Sequence, residues 1–343
     1  MSTRKSKSKG ADKGTDKNQG KSESGGTTVK SVRVGDFFER HKDELRMKLI
    51  GTRSGFDREI QEPTVNRPGL ALAGYYSYFA HHRIQVIGKA ERSFLKHLES
   101  SDKRKRFAEL CKRPIPCIIV SRGDTISAAS VEIANKEKLS VFQTTMVTMK
   151  FINAATVRLE WEFAARTTQY GSMVDVMGIG ILIRGESGTG KSETVLSLLR
   201  RGASLVSDDL VHVRNFEGRE IIASAPELGQ NHMEVRGLGI VNVPALFGVG
   251  TIRTEKRLDL VVTLRPAEMM NEVDRIGLDR GYYNLLGMKV PHVELPVAPG
   301  RDIAQLIEVA ALDQKLKSLG HDSAVEFNKK LLKMMRERRK SVV

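Results

Sequence analysis

The chain has 343 residues, of which 40% are hydrophobic and 28% charged, with a formal net charge of +15. That apolar share supports a normal globular core, and the length fits two domains or one large domain with tails. No apolar run approaches the roughly 18 residues of a bilayer span, and the start of the chain carries no apolar stretch of secretory type, so no membrane span is expected and a cytoplasmic location is.

The positive charge invites a nucleic-acid reading, but its distribution argues against one. Met1 to Lys30 carries Arg4 and seven lysines against Asp12, Asp16 and Glu23, and Lys329 to Val343 carries seven basic residues against Glu337. About eleven of the fifteen charges therefore sit on the ends, and the middle is near balance. Such tails read first as solvated segments with no specific nucleic-acid partner. Weak attraction to RNA, an acidic partner or a membrane surface stays open. Cys111 and Cys117 are spaced for neither a metal nor a disulfide framework, and no cluster has zinc-site spacing.

Residues 1–30 are Lys, Ser, Gly and Thr with almost no large apolar side chain. They bury too little to offset ordering entropy, so a disordered tail is predicted. From residue 31 strand and helix signals alternate. RIQVIG, CIIVSRG (117–123) and VFQTT (141–145) read as strands between helical stretches, which predicts an N-terminal α/β domain over 31–155. Tyr75, Tyr76 and Phe79 read as core. Met146 to Ala165 has helical spacing and joins the halves.

A second α/β domain is predicted over 156–325. Strands SMVDV (172–176) and IGILIRG (179–185) precede a helix, SETVLSLLRRG (192–202), with Gly202 in the stop position. SLVSDDLVHV (204–213) reads as one strand, MEVRGLGIVNV (233–243) as a loop leading into a strand or short helix, and RLDLVVTL (257–264) as a buried strand. IAQLIEVAALDQKLKSLG (303–320) has the repeat of an amphipathic helix, and a basic helix or tail over 326–343 ends the chain.

Between the second strand and its helix lies Gly185-Glu186-Ser187-Gly188-Thr189-Gly190-Lys191-Ser192, a complete G-x-x-x-x-G-K-[ST] phosphate loop. Glycines let backbone N–H groups turn toward phosphate oxygens, and the helix N-terminus favours the same anion. Lys191 adds a full charge on the terminal phosphates and Ser192 a hydroxyl for Mg²⁺. An ordinary glycine-rich turn explains neither residue. The loop alone names no reaction, because ATPases, GTPases and small-molecule kinases all carry it. Asp208 and Asp209 follow sixteen residues after Ser192. A carboxylate at a strand end beside such a loop can hold Mg²⁺ or accept the proton of an attacking hydroxyl. Neighbouring strand residues point to opposite sides, so one of the two is expected to face the phosphates.

GESGTGKSE, then SDD, MEVRGLGIVNV, VDRIGL and PVAPGRDI, together with RPGLALAGYYSYFAHHRIQVIGKAE, resemble the bacterial HPr kinase/phosphorylase family over roughly residues 30 to 325. The resemblance implies a two-domain chain whose C-terminal P-loop kinase domain is similar to the nucleotide core of phosphoenolpyruvate carboxykinase. It implies phosphorylation of a seryl residue on HPr, the phosphocarrier protein of the sugar phosphotransferase system, and so regulation of carbon metabolism. The donor would be ATP, or pyrophosphate in some members, with Mg²⁺, and inorganic phosphate would drive the reverse phosphorolysis. It also implies a homohexamer assembled through the C-terminal domain. Lys191 and Ser192 correspond to the loop lysine and the metal-binding serine, Asp209 to the group that takes and returns the seryl proton, Glu234 to a second Mg²⁺ ligand, and Arg275 to a catalytic arginine. Pro296 to Arg301 lies where the family has a segment tied to dephosphorylation.

The chain departs from the family at Tyr170, where a histidine is usual, and at Asp302, where asparagine is usual. A phenol stays neutral at pH 7, so Tyr170 can donate a hydrogen bond to phosphate but carries no charge. It is either a tolerated variant or the mark of a one-directional enzyme. Asp302 adds a negative charge near the dephosphorylation segment. Two rival readings remain beside the kinase: a P-loop kinase of another protein or metabolite, and a nucleotide-binding regulatory scaffold.

Overall fold

The computed structural model describes residues 26–269 and 281–340, with side chains of the last helix described through residue 335. The first half is built on a five-stranded sheet in the order Met47–Leu49, Ser140–Thr144, Cys117–Val120, Ile84–Ile87, Val65–Asn66. All pairs are parallel except the first. Strands buried on both faces need apolar residues at consecutive positions, and Cys117-Ile-Ile-Val120 supplies them. One face packs on Phe37, Phe38 and the helix Thr148–Phe163, the other on the helix Ser100–Cys111 through Phe107 and Leu110.

The helix Thr148–Phe163 moves the expected domain boundary. Phe151, Ala155 and Leu159 all sit in the first core, so the N-terminal unit runs past residue 155 to the helix end. A cut at 155 would strip Leu159 from its own packing. The ordered chain also starts before residue 31. Thr27 exchanges backbone hydrogen bonds with Arg166 (2.9 and 3.3 Å), and Val29 packs against the first core. The remainder of the expected tail, residues 1–25, lies outside the described residues.

The second half centres on a six-stranded sheet in the order Ser204–Ser207, Ser172–Val176, Ile179–Gly185, Leu260–Pro266, Met288–Val297, Gly281–Leu285. Side chains alternate across it. Ile181 and Ile183 face the helices Lys191–Arg200 and Ile303–Ser318, meeting Val195, Leu198 and Ile307. Leu182 and Val261 face a four-stranded antiparallel sheet, meeting Val211, Val213 and Ile221. That sheet runs Glu255–Arg257, Glu220–Ser224, Leu210–Phe216, Ala165–Tyr170. The unit is thus helices, mixed sheet and second sheet in three layers, within the α/β class expected.

Strand directions decide where the loops gather. Ile179–Gly185, Leu260–Pro266 and Met288–Val297 are mutually parallel, and Ser204–Ser207 runs the same way through the antiparallel Ser172–Val176. Their carboxyl ends therefore share one edge, the usual ligand edge of an open α/β sheet.

Phe151→Ala removes a fully buried ring from the N-terminal core. Chemical denaturation should show a loss of about 3–5 kcal/mol.

Candidate active site

The loop strand ends at Gly185 and the following helix starts at Lys191. Gly188 (φ +86°) and Gly190 (φ +81°) hold the left-handed backbone that lets the chain wrap there. The Thr189 hydroxyl donates to the Glu186 carbonyl (2.8 Å), and that of Thr194 to the Gly190 carbonyl (2.7 Å). The Lys191 ammonium folds back onto the carbonyls of Gly185 (3.0 Å) and Glu186 (2.9 Å), while Glu186, Ser187 and Gly188 are exposed. Lys191 and Ser192 are half-buried at the helix start.

SLVSDDLVHV is not one strand. Ser204–Ser207 belongs to the six-stranded sheet and Leu210–Phe216 to the four-stranded one. The break falls on the two aspartates. Asp209 takes φ +59°, a conformation costly for a residue with a Cβ, and the Leu210 amide donates to the Asp208 carbonyl at 2.7 Å. The chain crosses between the same two sheets a second time at Tyr170-Gly171-Ser172. The crossings lie side by side: Tyr170 is opposite Leu210, and the Gly171 amide donates to the Asp209 carbonyl at 3.0 Å. Only glycine fits at 171, because a Cβ there would sit 2.4 Å from the Ile183 carbonyl oxygen.

The two carboxylates differ, as expected of neighbours. Asp208 turns inward, accepting from the Ser172 hydroxyl (2.6 Å) and the Glu234 amide (3.3 Å). Burial pushes its carboxyl above the ordinary carboxylate value, against the lowering effect of Ser172. Asp209 is exposed at the edge beside Tyr170, itself 77% exposed. The structure therefore brings Tyr170 to the aspartate turn.

MEVRGLGIVNV is a hairpin, His232–Val235 with Gly239–Asn242, followed by the short helix Val243–Phe247. Alternation explains it: Met233 and Val235 enter the core shared with Val195 and Leu198, which leaves Glu234 exposed beside Asp208. Mg²⁺ needs only one or two protein oxygens when phosphates and water complete its shell. Among the described residues no cluster of three His, Cys, Asp or Glu would hold a metal by itself. A serine hydroxyl and one or two carboxylates, as at Ser192, Glu234 and Asp208, fit that oxygen-only pattern.

Arg275 lies outside the described residues. The segment 296–301 takes in the last two residues of the strand Met288–Val297 and the turn after it, at the same edge. The added charge of Asp302 is neutralised there. Its carboxylate caps the helix Ile303–Ser318 through the Gln305 amide (3.0 Å) and pairs with Arg201 (2.6 Å), and those contacts hold it below the ordinary carboxylate range. Sequence reasoning passed over Gly171, Ser172 and Arg184, since their contacts cross between sheets and leave no spacing to read.

A strand–glycine loop–helix cradle beside an exposed carboxylate turn is the arrangement of an α/β protein suited to phosphoryl transfer. Residues 161–331 match the model of the HPr Serine kinase C-terminal domain, and residues 32–159 match that of the HPr Serine kinase N terminus. The HPr kinase/phosphorylase of Geobacillus kaustophilus is 39% identical over 300 residues, covering 88% of this chain and 95% of the relative. That of Chloroherpeton thalassium is 40% identical over 304 residues, covering 88% and 89%. The solved Hpr(Ser) kinase/phosphatase of Coxiella burnetii shares 32% identity, covers 47% of this chain and 98% of its own, and superposes with a TM-score of 0.43. The chain belongs to the HPr kinase/phosphorylase family and is an enzyme of that kinase class.

Ser172→Ala removes the hydroxyl that donates to the half-buried Asp208 carboxylate. A carboxyl with a raised folded pKa destabilises the fold once ionised, and losing the donor raises it further. The variant should lose about 1–3 kcal/mol near pH 8, and the loss should shrink as pH falls and the carboxyl protonates. Denaturant titrations at pH 5 and pH 8 measure the difference.

Proposed function

We propose that this protein phosphorylates a seryl residue of the phosphocarrier protein HPr, with ATP or pyrophosphate as donor, and that it runs the reverse phosphorolysis at the same site. The carrying observation is the convergence at one sheet edge of the Lys191 loop and the exposed, left-handed Asp209 in a chain of this family. In the forward direction the seryl hydroxyl gives its proton to the Asp209 carboxylate as its oxygen attacks the terminal phosphorus. The bond to the bridging oxygen breaks, and ADP or inorganic phosphate leaves. Lys191, released from its loop carbonyls, neutralises charge on the terminal phosphates, and Arg275 is assigned the same task on the phosphoryl group in transit. In reverse, an oxygen of inorganic phosphate attacks the phosphorus of phosphoserine, the bond from that phosphorus to the seryl oxygen breaks as the oxygen takes the proton held by Asp209, and pyrophosphate and the free seryl hydroxyl are the products.

Ser192 and Glu234 would hold Mg²⁺, which when bound screens the phosphate charges. Tyr170, exposed beside Asp209, is assigned a neutral hydrogen bond to the acceptor phosphate. An exposed apolar stripe on the helix Ile303–Ser318, comprising Val309, Leu312 and Leu316, supports assembly of copies through the C-terminal domain, and the hexamer is the number the family resemblance implies. Two free, buried thiols, both pushed up to about 12 by burial, support a reducing, cytoplasmic setting.

The test is to incubate the protein with HPr, Mg²⁺ and ATP or pyrophosphate and to weigh HPr by mass spectrometry. One added phosphoryl group is expected, and Asp209→Asn should lower the rate by about 10²–10⁴-fold while ADP affinity holds. No transfer from either donor, despite measured nucleotide binding, rejects the reading.

A further inference from the structure

Arg184 directly precedes Gly185, and no motif assigns it a role. Its neighbour Ile183 faces the loop helix, so Arg184 points to the opposite face of the sheet, toward the four-stranded layer. There its guanidinium carbon stands 4.6 Å from the centroid of the buried Tyr283 ring. The Tyr283 hydroxyl donates to Gln169 Oε1 (3.0 Å), on the strand that ends at Tyr170.

The guanidinium is poorly matched. Its Nε is buried without a hydrogen-bond acceptor, and among the described residues Arg184 forms no ion pair. Three other arginines show what matching looks like: Arg58 donates to three carbonyls, Arg67 grips Glu91 with two nitrogens, and Arg201 binds Asp302 and Glu308. The residue as a whole is half-buried, but a buried donor with no acceptor and only a ring face beneath it costs stability. An unmatched buried polar group calls for a cause, and a planar fork of donors suits a phosphate.

Position narrows the ligand. Arg184 is one residue from the phosphate loop. Its stem lies against Gly171, where an added Cβ would meet Arg184 Cγ at 3.4 Å, and the Gly171 amide holds the Asp209 carbonyl. On the same face, Arg265 of the next strand is already bound to Glu294 (2.8 Å). Among the described residues Arg184 is thus a guanidinium without an acceptor, packed between the loop and the aspartate turn.

We infer that Arg184 is a further catalytic residue, binding the phosphoryl group in transit on the acceptor side of the loop and supplying there a positive charge that the Tyr170 phenol lacks. The inference rests on the phosphotransfer proposed above. The Tyr283 ring holds the guanidinium in place, so its donors need no reorganisation when the phosphoryl group arrives.

The experiment compares wild type, Arg184→Met and Arg184→Lys. Arg184→Met should melt at the same temperature as wild type or higher, since it removes a buried donor that has no acceptor. Its ADP affinity should change by less than about 3-fold, and its kcat for transfer to HPr should fall about 30-fold, the worth of one charged hydrogen bond. Arg184→Lys should recover part of that loss. A lower melting temperature with activity falling only as the folded fraction falls would make Arg184 a structural stacking residue and overturn the inference. Unchanged transfer overturns it too, as does a loss of ADP affinity as large as the loss of kcat. If wild type itself transfers nothing to HPr, the functional proposal fails while Arg184 is still tested. Inorganic phosphate and pyrophosphate should then raise the melting temperature of wild type more than that of Arg184→Met, and equal shifts reject the phosphate site.

Discussion

The arrangement of the C-terminal unit depends on two chain crossings locked to each other. At Gly171 the chain leaves the four-stranded sheet for the six-stranded one, and at Asp208–Asp209 it makes the return journey. The Gly171 amide on the Asp209 carbonyl and the Ser172 hydroxyl on the Asp208 carboxylate join the crossings at their tightest point. Each bond is modest by itself. Together they hold a strained, exposed aspartate at the edge where the phosphate loop ends. Strain of this kind persists when surrounding structure over-determines it, and two sheets meeting at one turn provide that surrounding.

The lock gives adjacent carboxylates opposite duties. Asp208 is the internal strut, with the Ser172 hydroxyl and the Glu234 amide on its oxygens and a carboxyl pushed upward by burial. Asp209 stays open to solvent. The Asp208–Glu234 bond also ties in the hairpin His232–Val235/Gly239–Asn242, so that the exposed Glu234 stands beside the turn. Phosphoryl transfer asks a protein chiefly for positioning and fixed charge. Here the contacts between two sheets fix the positions, and the charges proposed for transfer, Lys191 and Arg184, stand on either side of one strand end.

Much of the site was legible locally. The phosphate loop is a contiguous motif whose spacing follows from backbone geometry, and strands and helix appear where apolar periodicity puts them. Continuous apolar runs also told the central strands from half-exposed ones. The failures have a common cause. SLVSDDLVHV keeps strand-like composition straight through its break, because both halves are strands and only their partners differ. MEVRGLGI looked like a loop because its glycines mask a two-residue alternation that is visible only once Met233 and Val235 have a core to enter. Asp302 looked like an added charge at the site, yet Arg201, about a hundred residues away in sequence, absorbs it.

The sequence by itself determined the class of chemistry, since a phosphate cradle needs glycines, a lysine and a hydroxyl within eight consecutive residues, and nothing distant can substitute for them. Tertiary structure alone decided which aspartate faces solvent, that Tyr170 comes to the aspartate turn, and that Arg184 has a ring beneath it and, among the described residues, no anion beside it. Those facts depend on pairing between strands far apart in the chain, and a contact of that kind leaves no periodicity in either partner.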